Sequence, residues 1–308
     1  MDLRTVRERL GEPVEQTRQA GVPGQVHATL DRRLRDLLDH DPGTRDGSDP
    51  EDLHQMRVAV RRMRSVLGEN KASLDPEWTD ELRAELGSLG RALGPVRDLD
   101  VLIERFRAHI AELPEPDQRP ARALVTRLTR RRGSARRRML AALDAPSYPA
   151  LLARLVDTVN AGVPARQEKK KAKPAKPVTP KDVLARPHRK LRRAVEALGP
   201  EPADEDLHAL RIKVKKLRYG TEMIRATAGK PAKRAVRAAA ELQDILGEHQ
   251  DACVAEEEIR AFLPNADPAA AFAVGRIAER EEAGRRAARD AWHPAWLRLD
   301  EATRALLR

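Results

Sequence analysis

A segment of charged and apolar residues occurs twice in the chain, as EDLHQMRVAVRRMR at residues 51–64 and as EDLHALRIKVKKLR at residues 205–218. In both copies a histidine precedes cations that recur three or four residues apart, with Leu, Met, Ile or Val residues between them. This spacing fits the 3.6-residue period of an α-helix and not the two-residue period of a strand. Because chance rarely repeats such an order, the chain is predicted to contain an internal duplication of a helical unit.

Apolar residues keep helical spacing through most of the chain, and alternating runs of β-branched residues are absent. Clusters of Pro, Gly, Asp and Ser predict breaks, one of them over HDPGTRDGSDP at residues 40–50, and between residues 25 and 160 the breaks leave four main helices. Four more are expected near residues 184–198, 205–228, 231–263 and 268–306, with one break over AGK at residues 228–230. The predicted fold class is all-α, as two four-helix bundles related by internal duplication.

The repeat extends beyond the first motif, because LGRALGPVRDLDV (residues 89–101) aligns with LQDILGEHQDACV (residues 242–254) and places Asp98 opposite Asp251. Between the two halves the composition becomes rich in Lys and Pro, which is typical of a solvated linker. The predicted organisation is an N-terminal extension, a first repeat, a linker and a second repeat, over residues 1–20, 21–160, 161–181 and 182–308.

The charge balance favours anionic partners, since 59 Lys and Arg residues against 48 Asp and Glu residues give a net charge of +11. The only cysteine, Cys253, excludes an intramolecular disulfide and a zinc site built from several thiolates. A start at MDLRTVRERL is too charged for a signal peptide, and no stretch approaches the roughly 18 apolar residues of a membrane span. We therefore expect a cytoplasmic protein without a membrane partner.

On a helix, the cations of each copy share a stripe roughly 80° wide, immediately beside an apolar stripe. Like charges three or four residues apart repel one another, so a bound anion such as a run of phosphates explains the stripes better than solvation does. An ordinary solvated basic face is the alternative, and repetition of the same order counts against it. The candidate anion-binding residues are His54, Arg57, Arg61, Arg64, His208, Arg211, Lys215 and Arg218.

No metal site is predicted at these histidines. Neither His54 nor His208 has a metal-binding partner three or four residues further on, and the surrounding cations repel a divalent ion. The sequence also shows no phosphate-binding Gly-rich loop, no paired carboxylates with ligand spacing and no Ser or Cys beside a plausible base. We therefore expect a binding protein with no catalytic residues, no metal and no cofactor.

The two motifs, LHQMRVAVRRMR and LHALRIKVKKLRY, are each followed by an LG helix that contains a downstream Asp. In these features residues 20–305 resemble the CHAD domain, the conserved histidine α-helical domain. The resemblance implies a pair of four-helix bundles with pseudo-twofold symmetry, and a basic central surface formed by both repeats that binds inorganic polyphosphate. It assigns this role to the eight stripe residues, and association with polyphosphate granules in the cytoplasm is a further expectation.

Four weaker candidates accompany the stripes. Arg62 and Lys216 match basic positions of the motif but project away from the stripe, whereas Arg32 and Arg193 align through His27 and His188. Many members of the resembled family carry a preceding triphosphate-tunnel domain, and no part of this sequence matches its strands. The expected source of phosphohydrolase activity is therefore missing from the sequence.

Aromatic residues make up 3% of the chain and, apart from Tyr219, are absent from both motifs. Because proteins that bind single-stranded nucleic acid use aromatic stacking, this composition favours polyphosphate over nucleic acid. Two alternatives stay open, namely a helical scaffold for an acidic protein partner and non-specific contact with a nucleic-acid backbone. The roles of Asp98 and Asp251, the oligomeric state and the preferred chain length also stay open.

Overall fold

The computed structural model describes residues 3–14, 21–166 and 180–308, and in these ranges the chain forms nine α-helices and no β-strand. Their bounds are α1 Leu3–Arg9, α2 Gly21–Asp46, α3 Pro50–Glu69, α4 Pro76–Ala111, α5 Glu115–Asp144, α6 Ser147–Ala161, α7 Pro180–Glu196, α8 Asp204–Phe262 and α9 Pro268–Leu307. The all-α prediction is confirmed for this part of the chain.

The described residues form two compact units. Unit 1 contains residues 3–14, 21–108 and 125–166, and unit 2 contains residues 109–124 and 180–308. The predicted domain boundaries stay a prediction, and most of the predicted linker, residues 167–179, lies outside the described residues.

The grouping of residues 109–124 with unit 2 has an electrostatic reason. Arg276 and Arg280 of α9 lie 2.7 and 2.6 Å from the carboxylates of Asp117 and Glu112. These ion pairs join the end of α4 and the start of α5 to the last helix of the chain. The predicted first repeat therefore supplies a segment that packs within unit 2.

Unit 1 is built around α2, which packs on α3 and α6, while α1 packs on α6. Arg9 of α1 lies 2.6 Å from Asp157 of α6, so part of the predicted N-terminal extension belongs to this unit. The apolar residues at helical spacing are buried, as the sequence predicts; they include Leu30, Leu34, Leu37 and Leu38 of α2 and Leu82, Leu86, Leu89 and Leu93 of α4. Five helices, α2 to α6, occupy the interval where four were predicted.

Helix α2 continues into residues 40–50, where the sequence predicts a break, and ends at Asp46. The buried carboxylate of Asp41 accepts hydrogen bonds from Arg45 (2.7 Å) and from the hydroxyl of Tyr148 (2.5 Å). Because a buried carboxylate must be paired, this network holds the last turn of α2 in place despite Pro42. The chain turns only at Gly47, where φ is 75°.

Unit 2 contains a helix that turns back on itself. Residues 204–262 form one helical segment, α8, of 59 residues, and it includes residues 228–230, where the sequence predicts a break. Leu207 and Leu242 nevertheless belong to one buried cluster, which also contains Trp296 of α9. At a rise of about 1.5 Å per residue, a straight helix would separate these leucines by about 50 Å. The axis of α8 therefore reverses between them, which gives a first arm and a second arm that pack with α7 and α9.

Candidate anion-binding site

The first basic stripe lies on α3. The side chain of Asp49 caps this helix by accepting a hydrogen bond from the backbone N–H of Glu51 at 2.8 Å, and Pro50 occupies the first turn. The apolar side of the motif is buried and fixes which side of α3 meets solvent; its members are Leu53, Met56, Ala59, Val60, Met63 and Leu67. Of the predicted residues, His54 and Arg57 are half-buried, whereas Arg61 and Arg64 are exposed.

A row of glycines on α4 lies beneath this stripe. A Cβ on Gly94 would be 2.7 Å from Nη1 of Arg57, and a Cβ on Gly87 would be 3.5 Å from Cζ of Arg64. Between them, a Cβ on Gly90 would contact Val60 at 3.7 Å. The glycines therefore let two arginines of the stripe lie close to the backbone of α4.

The carboxylate of Asp98 lies 3.1 Å from Nη2 of Arg57, so the arginine is held between Gly94 and this acid. The pair is partly exposed, with 30% of the Arg57 side chain and 64% of the Asp98 side chain accessible to solvent. An exposed pair adds little to stability. The contact places the carboxylate of Asp98 beside the first basic stripe.

His54 is held by an arginine that the sequence analysis did not identify. Nε of Arg97 donates a hydrogen bond of 3.3 Å to Nδ1 of His54. The pKa of His54 is lowered from its ordinary value of 6.5 because burial disfavours the imidazolium and because Arg97 repels it. The neutral ring therefore carries its proton on Nε2, which can donate to an anion.

The second basic stripe lies on the first arm of α8. A Cβ on Gly247 would be 3.7 Å from Nη2 of Arg211, so this glycine lies beneath an arginine as Gly94 does in unit 1. Nη1 of Arg218 donates to Oε1 of Gln243 at 3.4 Å. His208 is exposed, and Arg211, Lys215 and Arg218 are half-buried. Each unit by itself thus brings its four predicted residues onto one helix beside a glycine-containing partner.

The two histidines differ in their neighbours. Nδ1 of His208 lies 2.5 Å from Oε1 of Gln250, which is an acceptor, so Nδ1 carries the proton. Gln250 occupies the position that Arg97 occupies in the first repeat, because LGPVRD aligns with LGEHQD. Neutral His54 therefore presents a donor at Nε2, whereas neutral His208 presents an acceptor there. That alignment is the signal by which Arg97 and Gln250 could have been found from the sequence.

Three of the four weaker candidates are exposed, and the fourth is half-buried. Arg32 is exposed on α2, Arg193 on α7 and Lys216 on α8, whereas Arg62 is half-buried on α3. The histidines that aligned Arg32 with Arg193 have structural partners instead. Nε2 of His27 donates to the carbonyl of Val159 at 2.7 Å, and Nε2 of His188 donates to Asp300 at 2.7 Å.

Asp204, His249 and Cys253 of unit 2 place three atoms of metal-ligand type within 4.8 Å of one another. Arg285 and Arg289 both donate to Asp204, so its carboxylate is already neutralised and a cation would meet two guanidinium groups. Burial and the charge of Asp204 raise the pKa of the Cys253 thiol to about 11. This cluster is best described as an internal ion-pair network that joins both arms of α8 to α9.

Arg285 and Arg289, the first and last residues of the segment RRAAR at residues 285–289, therefore have a structural role. Arg285 also lies 2.5 Å from Glu282, and Arg289 donates to the carbonyl of Pro202 at 2.8 Å.

None of the helices in the described ranges has the length and apolarity needed to cross a bilayer.

Solved structures with the same fold include PptA from Streptomyces chartreusis, at 22% identity and a TM-score of 0.67 over 88% of this chain and 98% of that one. The CHAD domain from the plant Ricinus communis matches at 24% identity and a TM-score of 0.69, over 93% of this chain and 95% of that one. At these identities the likeness establishes the fold alone.

Curated relatives include the uncharacterized proteins MT2285 and Rv2226 from two strains of Mycobacterium tuberculosis, each 31% identical over 288 residues. The match covers 91% of this chain and 54% of each relative, so the chain spans about half their length. The model of the CHAD domain matches residues 28–260, which is more than half of the chain. The protein therefore belongs to the CHAD domain family.

Proposed function

We propose that the protein binds inorganic polyphosphate without hydrolysing it, through the eight residues of the two stripes. The observation that carries this proposal is the repeated pairing of an arginine with a glycine, Arg57 with Gly94 and Arg211 with Gly247. Because glycine leaves the space that a Cβ would fill, each guanidinium approaches the backbone of its partner helix closely. Arg61 and Arg64 of the first stripe and His208 of the second stripe are exposed to solvent. Such a surface suits a flexible polyanion better than a single small anion.

Membership of a family that is associated with polyphosphate binding supports the same ligand. The absence of aromatic residues from both stripes, apart from Tyr219 beside the second, supports an all-phosphate ligand over a nucleic acid that stacks its bases. We further propose that a single polyphosphate chain contacts both stripes, so that the second contact benefits from a high effective concentration. Binding of this kind would bring the protein to polyphosphate granules.

Calorimetry with long-chain polyphosphate, orthophosphate, mixed-sequence RNA and duplex DNA, at equal phosphate concentration and fixed salt, tests the proposal. We expect the long polyphosphate to bind most tightly and orthophosphate to bind weakly. RNA or DNA that bound equally well would favour non-specific backbone binding instead. A lack of binding to every one of these anions would favour the acidic-protein scaffold.

A further inference from the structure

A second set of cations lines an open pocket of unit 1 between α4 and α5. The pocket has a volume of about 370 Å³. Helix α4 contributes Pro95 and Leu99, and α5 contributes Ser134 and three arginines, which are Arg130, Arg131 and Arg138. No acidic residue is among those that line it. The pocket is therefore polar and positive on the α5 side and apolar on the α4 side.

The sequence TRRRGSARRR at residues 129–138 places six arginines on α5. In the structure these arginines have different contacts. Arg132 donates to Asp100, and Arg136 donates to the carbonyls of Arg45 and Asp46 at 2.5 and 2.8 Å. These two arginines fasten α5 to α4 and to the end of α2. Arg137 donates to the hydroxyl of Ser134 at 3.0 Å. The three arginines of the pocket are exposed.

Helical geometry explains why the pocket arginines converge. Relative to Arg130, the side chains at Ser134, Arg138 and Arg131 are rotated by about 40°, 80° and 100° around α5. All of them therefore lie within an arc of about 100° on the helix surface. None of the three arginines is three or four residues from another, so they repel one another only as like charges gathered at one pocket. A bound anion would relieve that repulsion.

The pocket adjoins the first basic stripe. Arg57 lies on Gly94, and the next residue along α4, Pro95, is part of the pocket lining. On α4, Pro95 and Leu99 are rotated by about 100° and 140° from Gly94 and lie about 1.5 and 7.5 Å further along the helix axis. An extended anion that leaves Arg57 therefore has to pass about a third of the way around α4 to reach the arginines of α5.

We propose that this pocket is an additional phosphate subsite, which extends the α3 stripe across α4 onto α5. The inference rests on the proposed function and adds to it a basis for chain-length preference. A short oligophosphate contacts the α3 stripe alone, whereas a longer polyphosphate also binds in the pocket. Each phosphate that the pocket arginines neutralise releases further counterions and steepens the dependence of affinity on salt.

The test is the triple variant Arg130→Gln, Arg131→Gln and Arg138→Gln, because glutamine removes the charge and keeps helix propensity close to that of arginine. A charge-matched control replaces Lys233, Arg234 and Arg237, which are exposed on the second arm of α8, by glutamine. Calorimetry with long-chain polyphosphate and with tripolyphosphate at several salt concentrations measures affinity and salt slope. Circular dichroism checks that each variant folds.

We expect the pocket variant to bind long-chain polyphosphate about tenfold more weakly and with a shallower salt slope, and to bind tripolyphosphate within about twofold of the unmodified protein. The control should change long-chain affinity clearly less. If pocket and control variants lose the same affinity, or if the pocket variant loses tripolyphosphate equally, the subsite is overturned while the proposed function stands. If the unmodified protein binds no polyphosphate, both are overturned.

Discussion

The guanidinium of Arg57 lies so close to Gly94 that a Cβ there would be 2.7 Å from Nη1. Real Cβ contacts essentially never reach that distance, so any side chain at residue 94 must displace the arginine. The corresponding distance from Gly247 to Nη2 of Arg211 is 3.7 Å, which is an ordinary van der Waals contact. The two basic stripes thus differ in how closely an arginine approaches the glycine beneath it, and the effect of this difference on binding can be measured.

Gly94→Ala should weaken polyphosphate binding about three- to tenfold, because the new methyl group displaces the guanidinium of Arg57 and breaks its contact with Asp98. Gly247→Ala should bind within about twofold of the unmodified protein. Alanine favours a helix over glycine by about 1 kcal/mol, so neither variant should lose thermal stability through helix propensity. Calorimetry and thermal unfolding give both readouts. Equal losses of affinity in the two variants would show that the space above the glycine is irrelevant to binding.

Removing the cations of either stripe should weaken binding to long-chain polyphosphate about tenfold or more and flatten its salt dependence. The first variant replaces Arg57, Arg61 and Arg64 by alanine, and the second replaces Arg211, Lys215 and Arg218. Alanine keeps the helices, which circular dichroism verifies. If one triple variant kept the affinity and salt slope of the unmodified protein, only the other stripe would be in use, and the duplicated copy would be a relic.

Binding should strengthen as the pH is lowered from 8 towards 6. The pKa of free His54 lies below 6.5 because of burial and Arg97, and a neighbouring phosphate raises it by favouring the imidazolium. The complex therefore takes up protons where the free protein does not, which makes affinity rise as pH falls. Calorimetry in two buffers of different ionisation enthalpy counts these protons. His54→Gln should reduce the uptake; an unchanged proton count would contradict a role for the imidazole.

Asp204→Ala should destabilise the protein by about 1–3 kcal/mol, because it leaves His249 and two guanidinium groups without their shared acceptor. The effect should appear as a lower midpoint in urea unfolding. Glu241→Ala is the matched control, since Glu241 pairs with Arg298 at an exposed site and should cost about 0–1 kcal/mol. Equal shifts in the two variants would mean that the Asp204 network contributes no more than a surface pair.

Purified protein should leave long-chain polyphosphate and nucleoside triphosphates intact, with or without Mg²⁺ or Mn²⁺. The stripes offer donors and charges but no nucleophile held beside a base, which phosphate hydrolysis at a useful rate requires unless a metal supplies it. Phosphate release measured over several hours tests this expectation. Release that co-purifies with the protein and disappears in a stripe variant would reveal a catalytic site within the binding surface.

Much of the fold and of the candidate site could be read from the sequence because it depends on neighbours along the chain. The apolar residues at helical spacing in α2 and α4 are buried, and the motif of α3 buries one side and leaves Arg61 and Arg64 in solvent. Helix boundaries were predicted less well. The network of Asp41, Arg45 and Tyr148 carries α2 beyond a stretch rich in Pro and Gly, and it joins residues that are distant in sequence.

The sequence by itself determined the helical class, the buried sides of the helices and the two basic stripes, since a 3.6-residue period and the order of side chains are sufficient for these. Tertiary structure alone decided which side chains pair, since Arg97 contacts His54 and Gln250 contacts His208. It further decided that a reversal within α8 brings its two arms together. It also decided that Arg285 serves an internal network. Such contacts join residues far apart in the chain, and no local period records which long side chains will meet when helices pack.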